Sequence, residues 1–146
     1  MPTVTVEIPI RWGDLDPYGH VNNVAMFSLL EEARIAVFWH GKAGSPVRIG
    51  AGVAGDTATL VAAHHIEYLR PLLHSDKPAS VTLWVSKIGG ASFDIDYLVS
   101  DGEQICTRAR TTLVLADPAT NKPRRMTKDE QRELRRLSDE PLQFRR

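Results

Sequence analysis

The chain has 146 residues, 18 basic against 18 acidic, with 42% hydrophobic and 25% charged side chains. That length suits one domain with a substantial core and is short for two. The charge balance offers no field for nucleic acid or an anionic membrane surface, no apolar run approaches membrane-spanning length, and the single cysteine, Cys106, rules out an internal disulfide.

The chain opens with Met1-Pro2-Thr3, without the basic and apolar regions of a signal peptide, which together with the lone cysteine implies a cytoplasmic protein. Val4, Val6, Ile8, Ile10 and Trp12 then alternate with Thr3, Thr5, Glu7, Pro9 and Arg11, the period of a half-buried strand. Between Arg11 and Asn23 lies a dense run of acids, turn formers and cap residues that also carries His20. From Asn22 to about Trp39 good helix formers continue without glycine or proline. Met26, Leu29, Leu30, Ala33, Ala36 and Val37 make one apolar stripe suited to lie on a sheet. The other side keeps Val24, Phe27, Ile35 and Phe38, too apolar for water, and calls for a second covering surface such as another subunit.

Glycines at 41, 44, 50, 52 and 55 with Pro46 predict a long loop. Its string from Gly50 to Gly55 matches G-x-G-x-x-G, yet the preceding strand and following helix that a dinucleotide site needs are missing. From Leu60 onward the pattern is strand and turn. His64 to Arg70 ends at Pro71, Val81 to Ile88 breaks at Gly89-Gly90, and Phe93, Ile95, Tyr97 and Val99 alternate with Asp94, Asp96 and Ser100 as one buried and one solvated face. Asp101-Gly102 predicts a hairpin turn into a long strand, Ile105 to Ala116. Thr127 to Glu130 has capping-box spacing, so a short polar helix with a solvated charged face is expected to about Leu137. Residues 1–137 are read as a single domain and 138–146 as a disordered tail. The order strand, long helix, glycine loop, four strands, short helix is an α+β pattern with an antiparallel sheet.

Several chemistries are excluded by inventory. There is no G-x-S-x-G elbow and no H-E-x-x-H pair. His64 and His65 are strand neighbours that point to opposite faces, and His40 and His74 lack acidic or cysteine partners at ligand spacing, so neither a metal nor another cofactor is expected. Cys106 reads as a small core residue. What remains is Asp16 with His20 ahead of a helix. Pro17 and Gly19 shape the turn, Asn22 is an N-cap candidate, and the free amides near Asn22 and Asn23 suit a carbonyl oxygen becoming an oxyanion. A carboxylate there can attack an acyl group directly or through a water it deprotonates. A thiolate, from a thiol of pKa near 8.5, leaves with little help, so this set of groups suffices for a thioester. Asp14, Asp16 and Asn22 also serve as plain turn and cap residues, and residue chemistry alone leaves both readings standing.

The stretch Trp12-Gly13-Asp14-Leu15-Asp16-Pro17-Tyr18-Gly19-His20-Val21-Asn22-Asn23, followed by an apolar helix, resembles the hotdog-fold acyl-CoA thioesterases of the 4-hydroxybenzoyl-CoA thioesterase group. Its last four residues also resemble plant acyl-carrier-protein thioesterases, which have asparagine where this chain has Tyr18. Weaker similarities follow at Ile66 to Pro71, Ile88 to Phe93 and Arg108 to Leu115. The resemblance implies a central helix wrapped by a curved antiparallel sheet, assembly as homodimers or homotetramers with sites at subunit interfaces, and an acyl-CoA or acyl-carrier-protein substrate. It places the catalytic carboxylate on Asp16, the oxyanion amide near Asn23 and an assisting imidazole on His20, with Tyr18 and Asn22 beside the substrate. Lys87 and Ser92 fall where a strand turn would meet the CoA arm, and Glu31 or Glu32 would replace Asp16 if the chain followed the branch that works from the helix. Hotdog hydratases and dehydratases resemble D-x-N-P-x-H, whereas His20 here is four residues from Asp16 and six from Asp14. A non-catalytic acyl-thioester-binding module is the other competing expectation.

Overall fold

The computed structural model describes residues 3–39, 57–74 and 76–145. Most of the expected glycine loop, with the string at 50–55, lies outside the described residues. The alternating residues of the first strand bury Val4, Val6 and Ile8, but β1 spans only Val4–Ile8. Pro9 has no N–H to continue the ladder. The chain then forms a 3-10 turn at Trp12–Asp14, which leaves Trp12 78% exposed and stacked on His74 at 4.5 Å instead of continuing the strand.

Helix α1 spans Asn23–Phe38 with Asn22 as its N-cap, the Asn22 side chain accepting from the Val24 amide. Its 16 residues run about 24 Å at 1.5 Å each. Met26, Leu29, Leu30, Ala33, Val37 and Phe38 are buried, so Phe38 joins the core side instead of the outer side expected for it. Strands β2 (Ala58–Tyr68), β3 (Ala79–Ile88), β4 (Ser92–Ser100) and β5 (Ile105–Ala116) complete an antiparallel sheet of order β1-β3-β4-β5-β2. A bulge between Val61 and Ala63 shifts the β2 register, after which His64, Ile66 and Tyr68 pair with Thr111, Ala109 and Thr107. Phe93, Ile95, Tyr97 and Val99 of β4 meet Leu113, Thr111, Ala109 and Thr107 of β5 in the buried layer. The sheet curves around α1 as an open layer, the hotdog arrangement that the resemblance implies.

Helix α2 (Lys128–Arg135) starts at the expected capping box and buries Leu134. The stretch after it, read from the sequence as a disordered tail, makes defined contacts through residue 145. The Asp139 amide donates to Val85 O at 3.1 Å, the Leu142 amide to Asp96 at 2.8 Å, and the Arg145 amide to Glu67, while Phe144 stacks on His65 at 4.2 Å. These contacts lie on the sheet face away from α1. They also correct the reading of β4's second face, because Asp96 is fully buried there, held by Arg110 at 2.7 and 2.8 Å and by the Ser86 hydroxyl. Burial of that carboxylate is tolerable only because each oxygen is paired.

Candidate active site

The turn ahead of α1 is built by two aspartates with different duties. Asp14 is buried, its carboxylate accepting from the Arg11 amide at 2.9 Å and the Arg11 guanidinium at 3.0 Å. Burial pushes the Asp14 carboxyl up, but the side-chain and main-chain hydrogen bonds from Arg11, with its charge, outweigh this and hold it below the ordinary range. The Asp14 carbonyl accepts from the Asn22 amide at 2.7 Å, locking the turn to the helix cap.

Asp16 uses one oxygen, Oδ1, to accept from the main-chain amides of Tyr18 at 2.9 Å and His20 at 3.1 Å. Gly19 sits at φ +77, a conformation open to glycine, and its amide returns to Asp16 O. Asp16 Oδ2 has no protein partner among the described residues. The Asp16 carboxylate therefore meets the backbone of His20 and not its imidazole. Antiparallel bridges of Leu15 to Val21 and of His20 to Leu73 hold the backbone of His20 in place.

Asp16, His20 and Asn23 share the lining of a wide-mouthed cavity of about 440 Å³, with Tyr68, Arg70 and Thr107 opposite. The Asn23 amide is the first of the helix and has no hydrogen-bond acceptor among the described residues, as helix geometry dictates. Asn22 spends its side chain on the cap, 2.7 Å from the Val24 amide, so its role seen here is structural. Tyr18 stands 82% exposed beside His20, ring centroids 6.3 Å apart. Lys87 and Ser92 are elsewhere. Lys87 is exposed opposite Asp94, and Ser92 pairs with Val114 next to Phe93. Phe93 lines a second cavity of about 140 Å³ with Phe38 and Trp39 at the far end of α1, and Glu31 lies there too, 3.7 Å from Arg34.

Two residues of the first cavity escaped the sequence reading. Tyr68 donates its hydroxyl to the Asn23 carbonyl at 2.9 Å, and burial pushes its phenol up. Thr107 pairs with Tyr68 across the β2–β5 ladder. Nothing local marks either, since their meeting with α1 depends on strand register. Among the described residues no three histidine, cysteine, aspartate or glutamate side chains converge as a metal would require.

The family model of the thioesterase-like superfamily matches residues 10–134, most of the chain and the whole of this site. The chain belongs to the thioesterase-like superfamily. As a thioesterase-like protein it is, at the level of the family, a hydrolase of acyl thioesters. A predicted thioesterase from Bacillus stearothermophilus shares its fold with a TM-score of 0.77 at 19% identity, over 95% of this chain and 98% of that one. A thioesterase from Thermus thermophilus, complexed with coenzyme A and Zn, superposes with a TM-score of 0.74 at 28% identity, over 90% and 97%. An uncharacterized protein of Bacillus subtilis, YsmA, is 28% identical over 92 residues, which span 63% of this chain and 57% of that relative's length. No described helix is long and apolar enough to cross a membrane.

Proposed function

We propose that this thioesterase-like protein hydrolyses the thioester of an acyl-CoA, or of an acyl group on carrier protein, to the free acid and thiol in the cytoplasm. The observation that supports the reading is one cavity lined by both Asp16, whose Oδ2 has no partner among the described residues, and Asn23, the first residue of α1, whose amide has none. With Oδ1 held by two amides, Oδ2 is left free to act on a reacting carbonyl or on a water beside it. As general base it takes a proton from that water, whose oxygen bonds to the acyl carbon; as nucleophile it bonds to that carbon itself and a later water cleaves the anhydride. In either route the carbonyl oxygen gains negative charge that the Asn23 N–H stabilises, and the C–S bond breaks to release thiolate. His20, across the same cavity, orients the thioester or the water. The superposable Thermus thermophilus protein, complexed with coenzyme A, supports CoA as the carrier.

The protein acts in this reading as a homodimer or homotetramer. Edge strand β2 presents Leu60 and Val61, 41% and 45% exposed, and two copies joined there would extend one sheet. Lys87 and Ser92, remote from Asp16 within one chain, would then meet the CoA arm only from another copy.

The test is thiol release from acyl-CoAs with short, long and aromatic acyl groups. Purified protein is expected to release free thiol from at least one, and Asp16→Ala to remove most of this turnover. Unchanged turnover in that variant would overturn the mechanism. Absence of release across the panel, with hydration of an enoyl-CoA, would replace hydrolysis by hydratase chemistry.

A further inference from the structure

One residue lining the cavity, Thr107, carries a buried hydroxyl to which no described residue bonds. Thr107 faces α1 from β5, is 0% exposed, and its Oγ1 has no hydrogen-bond partner among the described residues. An unpaired buried hydroxyl is unfavourable, and valine would fill the same volume without one. The contrast with Thr111, also on this face, is informative. Its hydroxyl lies 2.9 Å from His64 Nδ1, so a threonine here normally finds a partner.

The surroundings of Thr107 are graded. Val21, Met26 and Leu72, all buried, make the inner wall, while Asp16 is half-buried and Asn23 and Arg70 are exposed toward the mouth. A thioester held between Asp16 and Asn23 therefore sends its short apolar end inward and leaves the charged carrier at the mouth, since phosphates would not enter an apolar wall. A plain hydrocarbon chain packed there would leave Oγ1 unpaired. An oxygen on the acyl chain would restore the lost bond.

We infer that Thr107 is a specificity-determining residue whose hydroxyl bonds a hydroxyl or keto oxygen on a short aliphatic acyl chain, a reading that rests on the cavity binding acyl thioesters. Oxygenated acyl groups are then preferred over their plain counterparts, because a site built around a hydrogen bond discriminates strongly against the analogue lacking it.

The experiment compares butanoyl-CoA with its 3-hydroxy, 4-hydroxy and 3-oxo counterparts, in the unaltered protein, Thr107→Val and Thr107→Ser. The expected result is a preference in kcat/KM of about tenfold or more for at least one oxygenated chain, kept by Thr107→Ser and reduced to about twofold or less by Thr107→Val. Thermal unfolding, in which Thr107→Val should melt no lower than the parent, separates this loss from misfolding. An equal preference in the parent and Thr107→Val, or none in the parent, overturns the inference while leaving hydrolysis intact. Should no acyl-CoA be hydrolysed, the proposed reaction fails instead. The same ratio is then read as affinity for non-hydrolysable thioether analogues of the four compounds, where equal binding by the parent and Thr107→Val overturns the role of Thr107.

Discussion

The Tyr68 hydroxyl donates to the main-chain carbonyl of Asn23 at 2.9 Å, joining edge strand β2 to the first turn of α1. This bond ties the residue whose amide is the proposed oxyanion donor to the sheet. Tyr68→Phe is expected to lower kcat/KM about 3- to 10-fold, through misplacement of that amide, while destabilising the protein by no more than about 1 kcal/mol. Steady-state thiol release alongside thermal unfolding checks both halves. A large fall in melting temperature with unchanged kcat/KM would assign the bond to the fold alone.

Asp16 combines a turn and a charge, and these can be separated. Asparagine keeps an oxygen to accept from the Tyr18 and His20 amides but cannot act as base or nucleophile. Asp16→Asn should therefore retain the parent's melting temperature and lose about 10²- to 10⁴-fold in kcat. Asp16→Ala loses the turn bonds as well and should melt lower. Equal turnover by the asparagine variant and the parent would move the chemistry to another carboxylate, with Glu31 and Glu32 the ones to examine.

Asp14 predicts a pH dependence of stability that is independent of catalysis. Its folded carboxyl lies below the ordinary value of 3.8, so the unfolded chain takes up its proton first on acidification. The stabilisation is full at pH well above 3.8 and is lost as pH falls through the lower, folded value. Asp14→Asn should destabilise by about 1–2 kcal/mol near neutrality, and the gap to the parent should close in strong acid. Urea unfolding between pH 2 and 7 measures it, and a gap that stays constant with pH would refute the assignment.

The proposed assembly through β2 can be tested directly by size. Val61 is 45% exposed on the edge strand, and a lysine there places charge in the proposed joint. Val61→Lys should shift the mass measured by light scattering toward the monomer and lower turnover with it. An unchanged mass would place the subunit contact on another surface.

The fold was legible where the pattern is local. The apolar stripe of α1, its cap at Asn22 and the alternation of β4 and β5 each follow from spacing a few residues long, and the helices and strands lie close to where that spacing puts them. Trp12 was misplaced because alternation continued in the sequence after Pro9 had already removed the next ladder donor. Asp96 looked solvated because its cover, the segment from 138 to 145, comes from more than forty residues away along the chain. The same distance hid Tyr68 and Thr107, which reach Asp16's cavity only through the register of β2 on β5. Asp16, His20 and Asn23 stand out in the sequence because one short stretch carries all three, and they line one cavity.

The segment that crosses the outer sheet face is gripped mostly by its backbone. Amides of residues 139, 142 and 145 donate to Val85, Asp96 and Glu67, and carbonyls of 140 and 142 accept from Trp84 and Arg110. Such a grip reads the path of the chain and hardly its side chains, Phe144 excepted. Substitutions along this last segment should therefore cost little, whereas changes at Asp96, Arg110 or Glu67, which do the holding, should release it.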